Sequence, residues 1–286
     1  MAISERGISK MDDRIAEIRF PELRKNQQRG SKPRCHLLTS GTREDVARRL
    51  SSLIQPWGEV RAENSWMPNG FVDCEEAQLH RADAIIPNAA ERDLLLNWWL
   101  VVPGSKATTP NWDIASTCII DGKPGILLIE AKAHIAELRN EERGKPLGGE
   151  DNKGVSLDSR RNHVRIGCSI QEAGIALSEQ TGLAWALSRD WCYQTANRFA
   201  WAWKLTEIGK PVILVYLGFV GCDDMQDGTG QALIADDDAW QKMVEDHSRA
   251  LFPREVWNKR WRVHGQSFIP LVRTYNLPLT AETRQV

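Results

Sequence analysis

Asp113, Glu130 and Lys132 are the residues whose types and spacing point most directly to chemistry. Glu130 and Lys132 end the run 124–132, Pro-Gly-Ile-Leu-Leu-Ile-Glu-Ala-Lys, whose apolar pattern predicts a buried strand. Side chains alternate faces along a strand, so Glu130 and Lys132 lie on one face. Because buried charge costs free energy, the pattern indicates a functional site at the end of this strand.

An upstream strand is needed to bring Asp113 to the same site. Residues 112–120 predict this strand, and the turn residues after it predict a hairpin. With a loop at 121–124, or only at 122–123, Asp113 falls opposite Lys132 and all three charged groups share a face. A loop of odd length would turn Asp113 to the other face of the sheet.

Two carboxylates and a lysine so arranged are suited to hydrolysis of a phosphodiester. Hard cations such as Mg²⁺ prefer oxygen ligands, commonly one or two carboxylates together with substrate phosphate and water. The ammonium group can orient the attacking water or offset developing negative charge. The competing interpretation is an ordinary edge strand, on which Glu130 and Lys132 face solvent and pair for well under about 1 kcal/mol.

The motif formed by Pro110, Asp113, Glu130, Ala131 and Lys132 resembles that of the PD-(D/E)XK nuclease superfamily, which has the restriction-endonuclease-like fold. The chain departs from the superfamily pattern because two residues separate the proline from the aspartate. The resemblance implies that Asp113 and Glu130 bind Mg²⁺ or Mn²⁺ and that the Ala131 carbonyl adds a ligand. It also implies that Lys132 assists the attacking water, so that Asp113, Glu130 and Lys132 are the expected catalytic residues.

The order of the predicted elements agrees with the α-β-β-β-α-β core of that superfamily. We expect helices at 42–53, 89–100, 190–208 and 237–251, a short strand near 100–106, the hairpin, and strands at 212–219 and 267–275. Asp190 is the expected cap of the third helix, and Pro270 predicts an edge position for the last strand. Residues 137–160, rich in charge and glycine, predict a loop beside the hairpin.

The expected fold class is therefore α/β, with a restriction-endonuclease-like αβββαβ core. A mixed central sheet is flanked by helices and extended at both termini. We assign residues 1–33 to a polar N-terminal lead-in and residues 34–286 to a single nuclease-like domain with a core at about 88–220.

Glu91, in the first turn of the helix before the hairpin, is a further catalytic candidate. Nucleases of this superfamily often draw an additional acid from that helix, and Glu75 and Glu76 are rival donors. The alternative for Glu91 is stabilisation of the helix dipole by an exposed acid, worth roughly a few tenths of a kcal/mol.

Gln194, Asn197 and Arg198 are candidates for nucleic-acid binding, because spacings of three and four residues put them on one helix face. They could contact phosphate or position the lysine. His134, two residues beyond Lys132, could reach the same face and act on phosphate or on the leaving group. The alternatives are a polar face that pairs locally and a partly buried histidine at a strand end.

The formal net charge of -1 gives the chain no general attraction for nucleic acid, so any electrostatic footprint must be local. Basic segments at 24–34 and 160–165 are candidates, although such runs are also typical of solvated surfaces. We expect nucleic acid as the partner, DNA rather than RNA. Duplex cutting by this fold commonly needs two active sites and therefore a homodimer.

Six dispersed cysteines without Cys-x-x-Cys pairs predict reduced thiols, and no His/Cys cluster has zinc spacing. No stretch is long and apolar enough to span a bilayer. We therefore expect a cytoplasmic protein without a membrane partner.

Twelve tryptophans raise the alternative of a glycosidase, but Trp98, Trp99, Trp201 and Trp203 fall in apolar helix patterns that predict core packing. The function that the sequence favours is a metal-dependent nuclease, most simply a DNA endonuclease in restriction, phage defence or repair. The alternative is a protein of the same fold that binds nucleic acid or a partner without cleaving.

Overall fold

A curled mixed β-sheet flanked by helices forms the body of the protein in the computed structural model, which describes residues 28–104, 107–140, 144–145, 155–226 and 232–280. The helices are α1 (Ser31–Leu38), α2 (Arg43–Ile54), α3 (Ala89–Trp99), α4 (Ile135–Asn140), α5 (Leu157–Thr181), α6 (Tyr193–Glu207) and α7 (Asp237–Ser248). The strands are β1 (Gly58–Glu59), β2 (Trp66–Met67), β3 (Ile114–Ile120), β4 (Lys123–Lys132), β5 (Val212–Val220), β6 (Trp261–Val263) and β7 (Gln266–Asn276). The fold class is therefore mixed α/β, as the sequence predicts.

The described strands form one sheet in the order β1-β3-β4-β5-β7-β6, and β2 also pairs with β3. The strands β1, β2 and β4 all run antiparallel to β3. In contrast, β4 pairs in parallel with β5, and β5 pairs in parallel with β7. The sheet thus changes from antiparallel to parallel at β4, the strand that carries Glu130 and Lys132.

The hairpin of β3 and β4 closes through Asp121 and Gly122, whose φ angles are 52° and 74°. Positive φ at both central residues is what a type I′ turn requires, and Asp-Gly is a favoured pair for this turn. The Asp121 carboxylate also accepts a hydrogen bond from the Ser267 hydroxyl across 2.6 Å, which ties the turn to β7. Both loops that the sequence suggested are therefore wrong.

This turn shifts the register of the hairpin by two residues. The partner of Ile120 is Lys123, two residues before the predicted partner. At the open end of the hairpin, Ile114 pairs with Ile129. One residue further along, the same register puts Asp113 opposite Glu130 rather than opposite Lys132. Because side chains repeat every two residues along a strand, Asp113 nevertheless lies on the predicted face.

Two hydrophobic layers cover the faces of the sheet. Alternate residues of β4 point to opposite sides, so that Leu128 packs with α3, α5 and α6, whereas Leu127 packs with α1 and α2. This alternation puts Glu130 and Lys132 on the side of α6.

The tryptophans of α3 and α6 belong to the first of these layers. Trp98 and Trp99 contact Trp201 with ring centroids 5.9 and 5.6 Å apart, and Trp203 lies 6.1 Å from Trp98. All four side chains are buried. The predicted core packing of these residues is confirmed.

Residues 100–104 form no strand, and residues 105–106 lie outside the described ranges. The predicted strand is therefore wrong wherever the structure describes it. The reason is Asn162 of α5, whose Oδ1 accepts hydrogen bonds from the backbone N–H groups of Val101 and Val102, while its Nδ2 donates to the Val102 carbonyl. These bonds satisfy backbone groups that a strand would otherwise pair. Strands β1 and β2, which precede α3, pair with β3 instead.

Helix α6 begins at Tyr193, and Asp190 does not cap it. The Asp190 carboxylate pairs with Arg189 instead, with Nε and Oδ1 2.9 Å apart. Cys192 adopts a left-handed backbone, with φ of 45°, immediately before the helix. Helix α5, capped by Ser156, is not predicted by the sequence and begins inside the segment 137–160 that we expected to be a loop.

Three further predictions concern residues 42–53, the last strand and the N-terminal lead-in. The helix expected at 42–53 is confirmed as α2, whose cap Thr42 accepts from the Asp45 N–H. Strand β7 lies between β5 and β6, so its predicted edge position is wrong, although Pro270 lies beyond the last residue that pairs with β6. Residues 1–27 of the expected lead-in lie outside the described ranges.

None of the six cysteines, all within the described ranges, forms a disulfide. No helix in the described part of the chain is long and apolar enough to cross a bilayer.

Candidate active site

The open end of the hairpin brings Asp113 beside Glu130 and Ala131. The Asp113 Oδ2 accepts a hydrogen bond from the Ala131 N–H, with donor and acceptor 2.7 Å apart. The N–H and C=O of one residue in a strand point to the same side, so the Ala131 carbonyl is directed to the same edge as Asp113. This contact leaves Oδ1 of Asp113 for other chemistry.

Glu130 is buried, with 1% of its surface exposed, and three side chains bind its carboxylate. Lys132 Nζ forms an ion pair with Oε1. Gln194 Nε2 also donates to Oε1, and Arg198 Nε donates to Oε2, each across 2.5 Å. Although burial opposes the effect, the charges of Arg198 and Lys132 lower the pKa of Glu130 below its ordinary value. Glu130 is therefore ionised and held in a fixed orientation.

Asp113 is in the opposite electrostatic situation. Burial and the neighbouring Glu130 charge raise the pKa of Asp113 to about 8, against the opposing effects of Lys132 and of the Ala131 N–H. A carboxyl group whose charge is this poorly compensated is a natural ligand for a cation. Glu130 and Lys132 do not form a solvent-exposed pair, because Lys132 is also buried, with 6% of its surface exposed. The competing interpretation as an exposed edge strand is therefore wrong.

Three hydrogen bonds and one aromatic ring hold the guanidinium group of Arg198 in place. Beyond its bond to Glu130, its Nη2 donates to the Asn111 carbonyl across 2.7 Å and its Nη1 donates to Asn197 Oδ1 across 3.2 Å. The guanidinium carbon lies 4.5 Å from the centre of the Trp112 ring. Burial lowers the pKa of Arg198, but the charges of Glu130 and Asp113, Tyr216 and the hydrogen bond to Glu130 together outweigh burial, and the net shift is upwards.

A cleft of about 620 Å³ opens in front of these residues. It is lined by both acidic and basic side chains, together with amide groups. The described lining residues are Glu76, Gln78, Thr108, Thr109, Pro110, Asn111, Asp113, Gly144, Lys145, Tyr193, Gln194, Asn197 and Arg198. Glu130 and Lys132 are not among these described lining residues and lie behind them.

Gln194, Asn197 and Arg198 are brought together as their spacing predicts. All three line the cleft, and two of them bind Glu130 directly. Lys145, which the sequence did not single out, joins them on the wall, with its Nζ 4.4 Å from the centre of the Tyr193 ring.

Glu76 is the acid that the structure adds to the cleft. A backbone bridge pairs Ala77 with Trp112, and the Trp112 N–H donates to the Ala77 carbonyl across 3.0 Å. This bridge puts Glu76 beside Asn111, whose Nδ2 donates to Glu76 Oε2 across 3.0 Å. Lys32 pairs with the other oxygen at 2.8 Å.

Glu91 is not in the cleft. Its Oε2 lies 3.0 Å from Lys210 Nζ, and Lys210 precedes the first residue of β5. Since β5 begins beside Ile126 and reaches Glu130 four residues later, Glu91 lies at the far end of the sheet, roughly 13 Å away along the strand. The structure therefore does not bring Glu91 to the other candidates, because α3 begins at the end of the sheet opposite to the site.

His134 also lies away from the cleft wall. Its Nε2 is 3.5 Å from Glu137 Oε1, and its backbone forms a bridge with Leu233. His134 is not one of the described residues that line the cleft. Glu75 is exposed and lines a neighbouring cavity of about 370 Å³, which shares Glu76 with the main cleft.

The donor set suits a hard divalent cation that keeps several water ligands. Asp113 Oδ1, the Glu130 carboxylate and the Ala131 carbonyl are the oxygen donors available at the hairpin end, and Mg²⁺ is commonly bound by one or two carboxylates. Among the described residues, no group of three or more His, Cys, Asp or Glu side chains is arranged to hold a metal ion. Burial and the Glu130 charge raise the pKa of Asp113, and a cation bound beside the carboxylate would oppose that shift.

Comparisons with known proteins give no match: neither a protein-family model, nor a curated protein sequence, nor a solved structure is similar to this chain.

Proposed function

We propose that this protein is a metal-dependent nuclease of the PD-(D/E)XK type that hydrolyses phosphodiester bonds, with DNA as the favoured substrate. The observation that carries the proposal is the meeting of Asp113, Glu130 and Lys132 at the open end of one hairpin. The bond from Ala131 to Asp113 and the ion pair of Glu130 with Lys132 fix this meeting. Two carboxylates, a lysine and an adjacent cleft whose wall includes Arg198 and Lys145 are the equipment for phosphodiester hydrolysis.

The order of elements supports the proposal. Taken as α2, β1 with β2, β3, β4, α6 and β5, the chain follows an α-β-β-β-α-β order, with the last strand parallel to the second strand of the hairpin. On this assignment the core begins at α2 rather than near residue 88, α3 is an insertion before the hairpin, and α4 and α5 are insertions between β4 and α6.

Each residue has a defined role in the proposal. Asp113 and Glu130, with the Ala131 carbonyl, hold the ion, which when bound supplies Lewis-acid polarisation of the phosphate. Lys132 orients the attacking water and offsets negative charge as it develops. Glu76 takes the place of Glu91 as the additional acid, since it lines the cleft and Glu91 does not.

Phosphate binding falls to the donors on the cleft wall. Arg198, Gln194, Asn197 and Lys145 all line the cleft, and their side chains carry N–H donors of the kind that bind phosphate. These residues contact backbone phosphates in any sequence, so they bind without specifying a target site. A cytoplasmic role in restriction, phage defence or repair is consistent with this chemistry, and cutting of both strands by this fold commonly needs two active sites and therefore a homodimer.

Cleavage of a panel of nucleic acids tests the proposal. Purified protein is incubated with supercoiled plasmid, linear duplex, single-stranded DNA and RNA, each with Mg²⁺, Mn²⁺ or EDTA. Metal-dependent cleavage of at least one substrate is the expected result, and plasmid nicking separates an endonuclease from an exonuclease. Inertness on all four substrates would contradict the proposal.

One observation favours the alternative of binding without cleavage. Both oxygens of Glu130 already accept hydrogen bonds from side chains, so the carboxylate is satisfied without an ion. Nucleic-acid binding that is unchanged by EDTA and unaccompanied by cleavage would favour this second function.

A further inference from the structure

Arg198 and Gln194 stand between Glu130 and the cleft. Both line the cleft, and both bind the Glu130 carboxylate, one at each oxygen. Access to Glu130 from the cleft therefore passes a guanidinium group in hydrogen-bond contact with the carboxylate. Lys132 differs, because it is not one of the described lining residues.

The guanidinium of Arg198 is placed to bind a second anion. Its bonds to Glu130, Asn111 and Asn197 use three of its five N–H groups. These bonds and the position of the guanidinium over the Trp112 ring, 4.5 Å from its centre, hold the group at the cleft wall. A fixed, planar guanidinium with remaining donors is the geometry that suits a phosphate.

We propose that Arg198 is a positioning residue that couples cation binding at Glu130 to nucleic-acid binding in the cleft. Without nucleic acid, Arg198 holds Glu130 and weakens the affinity of the site for a divalent cation. A backbone phosphate that binds the guanidinium offsets its charge and releases Glu130 to the cation. The inference rests on the proposed function, because it assumes that Glu130 is a metal ligand.

The physical basis is the repulsion between two cations that share one carboxylate. In the low-dielectric setting of a buried group, this repulsion is screened less than at the surface. Coupling of this kind is reciprocal, so the cation must raise the affinity for nucleic acid by the same factor as nucleic acid raises the affinity for the cation. The protein would thereby assemble a competent site only where substrate is bound.

Direct measurement of Mn²⁺ binding tests the proposal without reliance on activity. Free Mn²⁺ is followed by electron paramagnetic resonance during titration of the full chain, with and without a phosphorothioate single-stranded DNA oligonucleotide that resists cleavage. Oligonucleotide alone supplies the baseline. The variants are Arg198→Met, which keeps the bulk and removes the charge, and Lys210→Met, a control that removes a cation paired with Glu91 at the far end of the sheet. Asp113→Asn identifies the binding that belongs to the site.

We expect the oligonucleotide to tighten Mn²⁺ binding to the wild type by at least about fivefold. Arg198→Met should bind Mn²⁺ at least about fivefold more tightly than the wild type without the oligonucleotide, and should lose most of the enhancement. Lys210→Met should keep the enhancement, because Lys210 lies outside the cleft.

Equal Mn²⁺ affinity in the wild type and in Arg198→Met would overturn the inference. If Asp113→Asn loses Mn²⁺ binding in the same experiment, the proposed function would still stand. Absence of Mn²⁺ binding under every condition would overturn both. If Arg198→Met does not fold, the wild-type titration still decides, because affinity unchanged by the oligonucleotide contradicts the coupling.

Discussion

The Asp113 carboxylate accepts a hydrogen bond from the Ala131 backbone N–H across 2.7 Å, just beyond the last paired residues of the hairpin. One oxygen thus extends the backbone pairing by one step before β3 begins, and Asp113 also lines the cleft. The same side chain therefore has a structural bond and, in the proposed function, a metal-binding role, and substitution can separate the two.

Replacement of Asp113 by asparagine should separate these roles. An asparagine carbonyl can still accept from the Ala131 N–H, and removal of a partly buried charge beside Glu130 should leave the thermal stability at pH 8 equal or higher. Divalent-cation binding should be lost, and cleavage should fall by at least about 100-fold. Thermal unfolding, Mn²⁺ titration and plasmid cleavage measure the three effects. A variant that folds and still cleaves normally would exclude Asp113 from the site.

Glu76 and Glu91 provide a matched pair of acid-to-amide substitutions. Glu76→Gln should lower cleavage by on the order of tenfold or more, because Glu76 lines the cleft beside Asn111. Glu91→Gln should leave cleavage unchanged, since it removes only the ion pair with Lys210. Such a partly exposed pair is worth less than about 1 kcal/mol of stability. Cleavage rates measured side by side decide the assignment, and the reverse ranking would show that it is wrong.

His36 should make the protein sensitive to acid. Burial and the nearby Lys32 lower the pKa of His36 to about 4, so the folded state favours the neutral ring. The contribution of His36 to the free energy of unfolding is fully present above the pKa of about 6.5 that a histidine has in the unfolded chain. This contribution is lost as the pH falls from about 6.5 towards 4. The loss is on the order of 3 kcal/mol.

His36→Gln, which cannot titrate in this range, should lose less stability between pH 6.5 and 4 than the wild type. Denaturant unfolding at several pH values measures the difference. His247, whose pKa burial and Lys132 also lower to about 4, remains in both proteins and cancels in the comparison. Parallel stability curves for the two proteins would contradict the assignment to His36.

The sequence was most informative about the hairpin, where local patterns decide the structure. The apolar run that ends in Glu130 and Lys132 predicts β4, and the spacing along α6 predicts that Gln194 and Arg198 share a face. The register was not predicted, although the Asp-Gly pair at 121–122 is itself a signal for a type I′ turn. The error was harmless because a shift by two residues preserves the face of every side chain.

The origin of the additional acid could not be read from local patterns. Glu91 precedes the hairpin in sequence, but the packing of α3 puts its first turn at the far end of the sheet. Glu76 reaches the cleft through one backbone bridge between Ala77 and Trp112, a long-range pairing with no periodic signature. In the same way, Asn162 of α5 takes the backbone bonds expected of a strand near residue 100.

The most direct test of the nuclease assignment is plasmid cleavage by Lys132→Met in Mg²⁺, measured beside the wild type and beside EDTA controls. Methionine keeps most of the bulk of this buried side chain, and Arg198 and Gln194 still hold Glu130. Mn²⁺ binding should therefore persist. We predict that the wild type nicks the plasmid only with the divalent cation and that the variant loses this activity by at least about 100-fold. Cleavage by the variant at the wild-type rate, or cleavage by either protein in EDTA, would contradict the account.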